Sequence, residues 1–375
     1  MWAALLIYNL ICLKLAPRLS AKSAMASGSG CGAKVSILVP ARNEAGRCLE
    51  RAIRSMLAQD WPDFEVVAVD DCSTDKTLEM LQGISRQDDK LIVVRGRPLP
   101  PGWLGKPWAL NQAYMRARGQ WLLATDADII FHPSALRLAM ALAQNRNCDA
   151  VTLVPGFRSE SFWARLVMPV LGWAITLFYP FWLVNNRHSR VALGVGGFFL
   201  IRRDALDKVG GYESIRGEVI DDLRMAQLLK RAGFKLYLAG AYDLLETPMY
   251  SSLAEIFEGM GKNSFAGVGS SLPLAILSAL ANLTATTLPL IFAIASPLLG
   301  EYRLALSALA AYLSMTISFV PVYVEARVNP FYAPLSFLAN IMLVLILMVS
   351  TWRVVTGRGV MWKSRRLYAS MGQPE

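Results

Sequence analysis

Histidine is almost missing from this chain: His132 and His188 are the only two in 375 residues. A histidine-based metal centre is therefore not indicated, and no Ser/His/Asp or Cys/His nucleophilic arrangement can be assembled. Cysteine is also sparse. Cys12, Cys31, Cys48, Cys72 and Cys148 are an odd number without C-x-x-C spacing, which gives neither a disulfide framework nor a zinc site and fits a reducing compartment. Charged residues make up 18% of the chain, and residues 272 to 299 carry none. The net charge of +10 comes from scattered basic residues without an aromatic-basic recognition motif, so nucleic acid is not an expected partner. Anionic lipid or a sugar diphosphate suits that charge better. There is no internal repeat, and low complexity is confined to a Gly/Ser linker over residues 27 to 32.

Apolar residues are plentiful, at 54% with a mean hydropathy of +0.37, more than a soluble protein usually carries. A soluble half is expected to precede a membrane half. Residues 1 to 13 are nearly all apolar and are followed by Lys14, Arg18 and Lys22, which reads as a membrane anchor with a cytoplasmic basic flank over 1–26. A cleaved signal ending at Ala24-Met25-Ala26 is the rival reading, but it lacks a basic start, and the run is short for a ~20-residue span. From Val35 onward, short β-branched runs alternate with helix-period stretches. The pattern predicts strands at Val35 to Val39, Phe64 to Val69, Leu91 to Val94, Trp121 to Thr125 and Ala150 to Leu153, with helices near 46–59, 75–85, 108–118 and 134–145. That is an open α/β sheet, whose ligands bind at the carboxyl ends of its strands.

Residues 161 to 184 are rich in Trp, Phe and Tyr, with Arg165 the only charge and Pro169 and Pro180 interrupting. They read as a buried helical pair, as a span, or as a segment lying at the membrane interface. Three later stretches, 272–299, 304–324 and 331–352, are each long enough to cross a ~30 Å hydrocarbon core. The expected organisation is an anchor (1–26), an α/β domain (33–250) carrying the apolar insert, transmembrane helices (268–355) and a basic tail (356–375).

Carboxylates collect at the strand ends. The first strand ends Pro40-Ala41-Arg42-Asn43-Glu44, and the second ends Asp70-Asp71-Cys72-Ser73-Thr74-Asp75, where Ser73 or Asp75 can cap the next helix. Capping leaves adjacent Asp70 and Asp71 unexplained, since their repulsion requires a ligand, cation or water to take up the charge. The fourth strand runs into Asp126-Ala127-Asp128. Alone this is a solvated turn, but residues i and i+2 of a strand share a face, and two such hard donors suit Mg²⁺ or Mn²⁺ completed by substrate phosphates. Gly105-Lys106 precedes a helix expected from Pro107, either as a plain helix start or as an anion site. Asp221-Asp222 open another, through about Arg231, where acids ordinarily complement the helix dipole.

This ordered set resembles the family 2 glycosyltransferases of GT-A fold over about residues 35 to 240. The matching pieces are Val39 to Glu44, Val69 to Asp75, Gly105-Lys106, Asp126-Ala127-Asp128, Gly196-Gly197 with Arg202-Arg203, Val209-Gly210-Gly211-Tyr212, and Asp221-Asp222. Pro98 to Lys106, the aromatic insert and the tail Trp362 to Tyr368 look more narrowly like hopene-associated and carotenoid-type lipid glycosyltransferases. The resemblance implies an α/β GT-A domain with an α-helical transmembrane region, moving one sugar from a nucleotide-sugar, with a UDP-sugar as the expected donor, to a lipid or isoprenoid hydroxyl. Pro40, Ala41, Arg42, Glu44, Asp71, Lys106 and Asp126 would bind substrate, with Asp71 on the base. Asp126 and Asp128 would hold Mg²⁺ or Mn²⁺, and Asp222, beside Asp221, would be the general base. The Q-x-x-R-W motif of processive synthases is absent. The expected location is the inner (plasma) membrane, multi-pass, with the catalytic domain cytoplasmic. Arg353, Arg358, Lys363, Arg365 and Arg366 against Glu375 favour a cytoplasmic tail, which three full spans would forbid. The stretch with Pro289 and Pro297 is therefore expected to be re-entrant or interfacial.

Overall fold

The computed structural model describes residues 1–22, 32–158, 161–248, 250–362 and 365–367. Most of the Gly/Ser linker, Lys363 and the tail from Tyr368 lie outside them. The described chain forms two units, residues 16–158 with 181–248, and residues 1–15 with 161–180 and those from 250 on. Elements are numbered in chain order through both.

The first of these units is built on eight strands: β1 (Val35–Ala41), β2 (Phe64–Asp70), β3 (Leu91–Arg95), β4 (Trp121–Ala124), β5 (Ile130–Phe131), β6 (Ala150–Arg158), β7 (Phe199–Arg202) and β8 (Leu236–Pro248). They lie side by side in the order β3-β2-β1-β4-β7-β6-β8-β5. β1 and β2 are buried along nearly their whole length, as parallel strands covered on both faces must be. Helices α2 (Leu49–Leu57), α3 (Thr77–Ser85), α4 (Gly105–Arg116), α5 (Ala135–Arg146), α7 (Phe181–Asn185), α8 (Arg203–Lys208) and α9 (Asp221–Arg231) belong to this unit. Leu49, Ile53 and Met56 of α2 and Leu136 and Met140 of α5 join Ile37, Val39, Val66 and Leu123 of the strands in one core.

Two features of the sheet position the site. Parallel register sets Ala41 opposite Asp70 and Asp70 opposite Arg95, so the segments leaving β1, β2 and β3 emerge together. β7 runs antiparallel to both neighbours and sets Phe199 opposite Ala124. The residues entering β7 therefore meet those leaving β4. The sequence pattern found β1 to β4, β6 and helices α2 to α5, but not β5, β7 or β8. β5 is two residues long and β7 four, too short for an alternation to register. β8 is interrupted: its pairing with β6 jumps from Pro155↔Ala241 to Gly156↔Glu246, while Leu245 and Glu246 turn to β5. Gly156 is required there, because a Cβ would lie 2.5 Å from the Tyr242 carbonyl oxygen.

The other unit is helical: α1 (Trp2–Leu15), α6 (Phe162–Phe178), α10 (Leu253–Gly267), α11 (Leu272–Thr286), α12 (Leu288–Ala295), α13 (Tyr302–Glu325) and α14 (Ser336–Val355). A two-stranded hairpin, β9 (Val360–Trp362) and β10 (Arg365–Leu367), follows. Among the described residues, Tyr302–Glu325 and Pro330–Val355 are long and apolar enough to cross a membrane. The stretch 272–299 is not one continuous span. It breaks at Thr287, because Pro289 has no N–H for the helical ladder, and ends in a 3₁₀ turn at Ser296–Leu299 around Pro297. α10 and α11 are bent by 113° across Gly269 and Ser270, both at positive φ. α6 buries Ala164, Leu166, Val167 and Val170 in the cluster formed with α10, α13 and α14, while Phe178 at its end is 75% exposed. Polar side chains join these helices in an apolar setting. Asn9 donates to the Ser318 carbonyl and accepts from Trp173 Nε1, each at 2.8 Å, and Asn282 donates to Asn340 at 2.9 Å.

Candidate active site

Two loops leaving β1 and β2 are fastened to each other. The Arg42 guanidinium donates to the carbonyls of Asp71 and Cys72 at 2.5 and 2.9 Å. Asn43 N–H donates to Ser73 Oγ, and Thr74 N–H returns a bond to Asn43 Oδ1. Glu44 N–H reaches Thr77 Oγ1 and Ala45 N–H reaches Asp75 Oδ2. Asn43 and Cys72 both sit at positive φ, a conformation that Asn tolerates and Cys rarely adopts. Asp75 also accepts from Thr77 N–H, so it closes the start of α3 from one residue outside the Lys76 N-cap. Pro40 and Ala41 end β1, and Glu44 and Asp71 are buried beside them. Gly96 completes this edge. Its N–H donates to the Asp70 carbonyl, and a Cβ would approach that oxygen to 2.5 Å.

The second group forms where β4 ends and β7 begins. β4 stops at Ala124, so Asp126 and Asp128 lie in the following turn and strand alternation does not set their directions. Asp126 meets Lys106, whose Nζ lies 2.8 Å from Asp126 Oδ1 and 3.6 Å from Asp221 Oδ1. Asp128 lies near Cys48, which donates from Sγ to the Asp128 carbonyl at 3.4 Å. Burial pushes the Cys48 thiol up, and the carboxylates of Asp128 and Glu44 add to it. Thr125 fixes the approach by donating to the Gly197 carbonyl at 2.8 Å.

Gly196 lies at the centre of the acidic group. Its N–H donates to Asp222 Oδ2 at 2.6 Å, and Leu223 N–H donates to Asp222 Oδ1 at 2.8 Å. A Cβ on Gly196 would stand 2.8 Å from Lys106 Nζ, 3.2 Å from Asp222 Oδ2 and 3.4 Å from Asp126 Oδ2. Gly194 is equally constrained, with the Asp222 carbonyl oxygen 2.3 Å from where its Cβ would be. Burial raises Asp222 from 3.8 to about 6, Asp221 adds to the rise, and Lys106 opposes it. Burial would lower Lys106, but Asp126, Asp221 and Asp222 hold its ammonium well above the ordinary value. Lys106 thus sits in the first turn of α4, which begins at Gly105 and so two residues before the expected start at Pro107, with its charge directed into the acidic cluster. Beneath the cluster is a small pocket lined by Lys106, Gly196, Tyr212, Asp221 and Asp222 together with apolar side chains. The Tyr212 hydroxyl is buried there with no hydrogen-bond partner among the described residues. Burial, then Asp221, raises its phenol well above the usual range.

The sheet, with β7 reversed between parallel neighbours and carboxylates along one edge, is that of a GT-A type glycosyltransferase domain. A solved mannosyltransferase from Pyrobaculum calidifontis, described in complex with GDP-Man and Mn²⁺, superposes with a TM-score of 0.54 at 19% identity, covering 93% of this chain and 95% of that one. Residues 36–210 match the profile of glycosyl transferase family 2, and the chain therefore carries a family 2 glycosyltransferase domain. A beta-monoglucosyldiacylglycerol synthase from Nostoc sp. is 30% identical over 195 residues, which are 50% of this chain and 39% of the relative. A dolichol-phosphate mannosyltransferase from Pyrococcus furiosus is 25% identical over 226 residues, 60% of this chain and 55% of that protein. The chain thus spans between two fifths and three fifths of these curated relatives.

The family resemblance singles out Gly196-Gly197 without giving it a role, and nothing local to the pair shows that an Asp 26 residues away accepts from the Gly196 N–H.

Proposed function

We propose that the chain is an inverting, metal-dependent glycosyltransferase moving one sugar from a nucleotide-sugar to a hydroxyl of a membrane lipid or isoprenoid. The observation that carries this reading is Asp222, a carboxylate held by two backbone N–H groups and raised to about 6. At neutral pH it is mostly ionised yet basic enough to take a proton, as a general base requires. It accepts the proton of the attacking hydroxyl, while Asp221 keeps that basicity up and Lys106 keeps the ionised state accessible. The interlocked loops at Arg42 and Asp71 bind the nucleotide, and their cross-bonds keep that surface from collapsing when it is empty.

Asp126 and Asp128 fit a divalent cation. They are hard oxygen donors, and Asp126 already draws a cation, the Lys106 ammonium, to 2.8 Å. Among the described residues no group of three or more His, Cys, Asp or Glu could hold a metal alone. In this reading Asp126 and Asp128 would supply part of a shell that Mg²⁺ or Mn²⁺ completes with substrate phosphates and water. When bound, the ion neutralises the departing nucleoside diphosphate. The complex of the Pyrobaculum neighbour with GDP-Man and Mn²⁺ supports the choice of ion.

A lipid acceptor is supported by the name of the Nostoc relative and by the two helices long enough to span. Transfer to a polyprenyl phosphate is the second reading, supported by the Pyrococcus relative. The α/β unit faces the cytoplasm of the inner membrane in either reading, since nucleotide-sugars are made there. Purified protein is assayed for nucleoside diphosphate release from UDP-glucose and GDP-mannose, with total membrane lipid or polyprenyl phosphate as acceptor. Asp128→Asn weakens metal-dependent donor binding and abolishes turnover. Asp222→Asn keeps donor binding while turnover falls ~10²–10⁴-fold. Normal turnover of Asp222→Asn removes the base assignment, and no lipid-stimulated release from either donor removes the lipid acceptor.

A further inference from the structure

Lys230 lies near the end of α9, eight residues beyond Asp222 and so roughly 12 Å along the helix. Its ammonium donates to four backbone carbonyls: Leu183 at 3.2 Å, Val184 at 2.8 Å, Asn186 at 3.0 Å and Val191 at 2.7 Å. Two of these carbonyls belong to the last turn of α7, whose end leaves them without helical partners. The other two belong to the irregular segment between α7 and β7. That segment has only short turns of its own, such as Ser189 N–H to the Asn186 carbonyl and Val191 N–H to Ser189 Oγ, and other elements of the unit fasten it further. Thr152 Oγ1 accepts from Val195 N–H at 2.9 Å, Thr125 donates to the Gly197 carbonyl, and Asp222 accepts from Gly196 N–H. Helix α9 therefore holds this segment at both ends, at its start through Asp222 and near its finish through Lys230.

Cations placed at a helix end are ordinarily surface lysines complementing the dipole. A lysine that gathers four carbonyls from two separate stretches does more. Three N–H donors shared among four oxygens fix where the 183–191 backbone runs, and only four residues lie between Val191 and Gly196. Between them Gly194 is packed against the Asp222 carbonyl, so the stretch leading to Gly196 runs along the start of α9.

We propose that Lys230 is a positioning residue for sugar transfer: by tying residues 183–191 to α9 it holds the Gly196 N–H against the Asp222 carboxylate. The proposal rests on Asp222 acting as the base. It assigns to Lys230 a function in turnover rather than in donor binding, because the bonds made just beyond Val191 run to Thr152, Thr125 and Asp222.

The test compares Lys230→Met, which keeps length and removes the donors, with Lys230→Gln, which keeps two donors on a shorter arm. Lys235→Met is the control, since Lys235 donates to the Arg146 carbonyl, away from this segment. In the intact protein, amide exchange over residues 191–198 is expected to accelerate by about tenfold or more in Lys230→Met, less in Lys230→Gln and not in Lys235→Met. With UDP-glucose and total membrane lipid, kcat falls by a similar factor while the donor Michaelis constant stays within about twofold. Unchanged exchange over 191–198 overturns the proposal, as does a parallel loss of kcat and donor affinity. If Lys230→Met does not fold, the same readings on Lys230→Gln decide. The exchange measurement needs no substrate, so it stands apart from the fate of the base assignment, which normal turnover by Asp222→Asn would sink alone.

Discussion

Replacing the proposed base should make the protein more stable. Asp222 is raised from 3.8 to about 6, chiefly by burial and then by Asp221. The folded state therefore binds that proton more tightly than the unfolded chain does. The contribution of Asp222 to stability is fully present below pH 3.8 and is lost as pH rises through about 6, by an amount that such a shift sets at roughly 3 kcal/mol. Asp222→Asn removes the charge and with it this loss. The gain is partial, because the amide has one oxygen where the carboxylate had two. One of the N–H groups of Gly196 and Leu223 then faces an NH₂, at a cost of about 1–2 kcal/mol. Lys106 also loses part of its neutralisation. The net expectation is a variant about 1–2 kcal/mol more stable than the parent at pH 8, with the difference shrinking below pH 6 and gone or reversed by pH 4. Thermal unfolding in detergent with EDTA, followed by tryptophan fluorescence from pH 4 to 8, measures it. A difference that is flat with pH, or a variant less stable at pH 8, refutes the reasoning.

Gly196→Ala places a methyl 2.8 Å from Lys106 Nζ and should cut turnover by tenfold or more, with a much smaller fall in melting temperature; equal wild-type activity would mean that the cluster gives way freely. Phe178→Ser with Trp182→Ser should raise the Michaelis constant for a lipid acceptor and spare the donor's, and equal effects on both would count against an acceptor approach through the aromatic insert. A Ser370→Cys variant should resist a membrane-impermeant maleimide added to the periplasmic side of intact cells, and labelling there would place the tail outside.

What could be read from the sequence depended on how locally each feature is encoded. Val35 to Ala41 and Phe64 to Asp70 are short runs dominated by apolar, mostly β-branched residues, so burial on both faces announces them. α9 was equally legible, from Asp221 to the Gly233 turn at positive φ, because acids at its start and a glycine after its end mark both limits. β7 was not, since four residues show no period and its reversed direction follows from pairing with strands on either side. The carboxylates of the site were visible as strand-end acids, but the reason offered for Asp126 and Asp128 was strand alternation, and the strand ends before them. Lys230 gave no signal, because a lysine in the last turn of a helix looks like any other until the carbonyls of residues 183–191 fold around it.

The bonds between the β1 and β2 loops also bear on how this domain can be altered. Arg42, Asn43, Glu44 and Ala45 on one side engage Asp71, Cys72, Ser73, Thr74, Asp75 and Thr77 on the other. Neither loop keeps its shape if its counterpart is exchanged for a foreign one. A chimaera built to change the donor nucleotide must carry both segments from the same parent, some thirty residues apart in the chain, and a single-loop graft will recover a folded sheet with a distorted rim. The same coupling makes this a region where tolerated changes arrive in pairs, so random libraries spread over one loop will sample mostly inactive proteins and libraries that vary the two together will not.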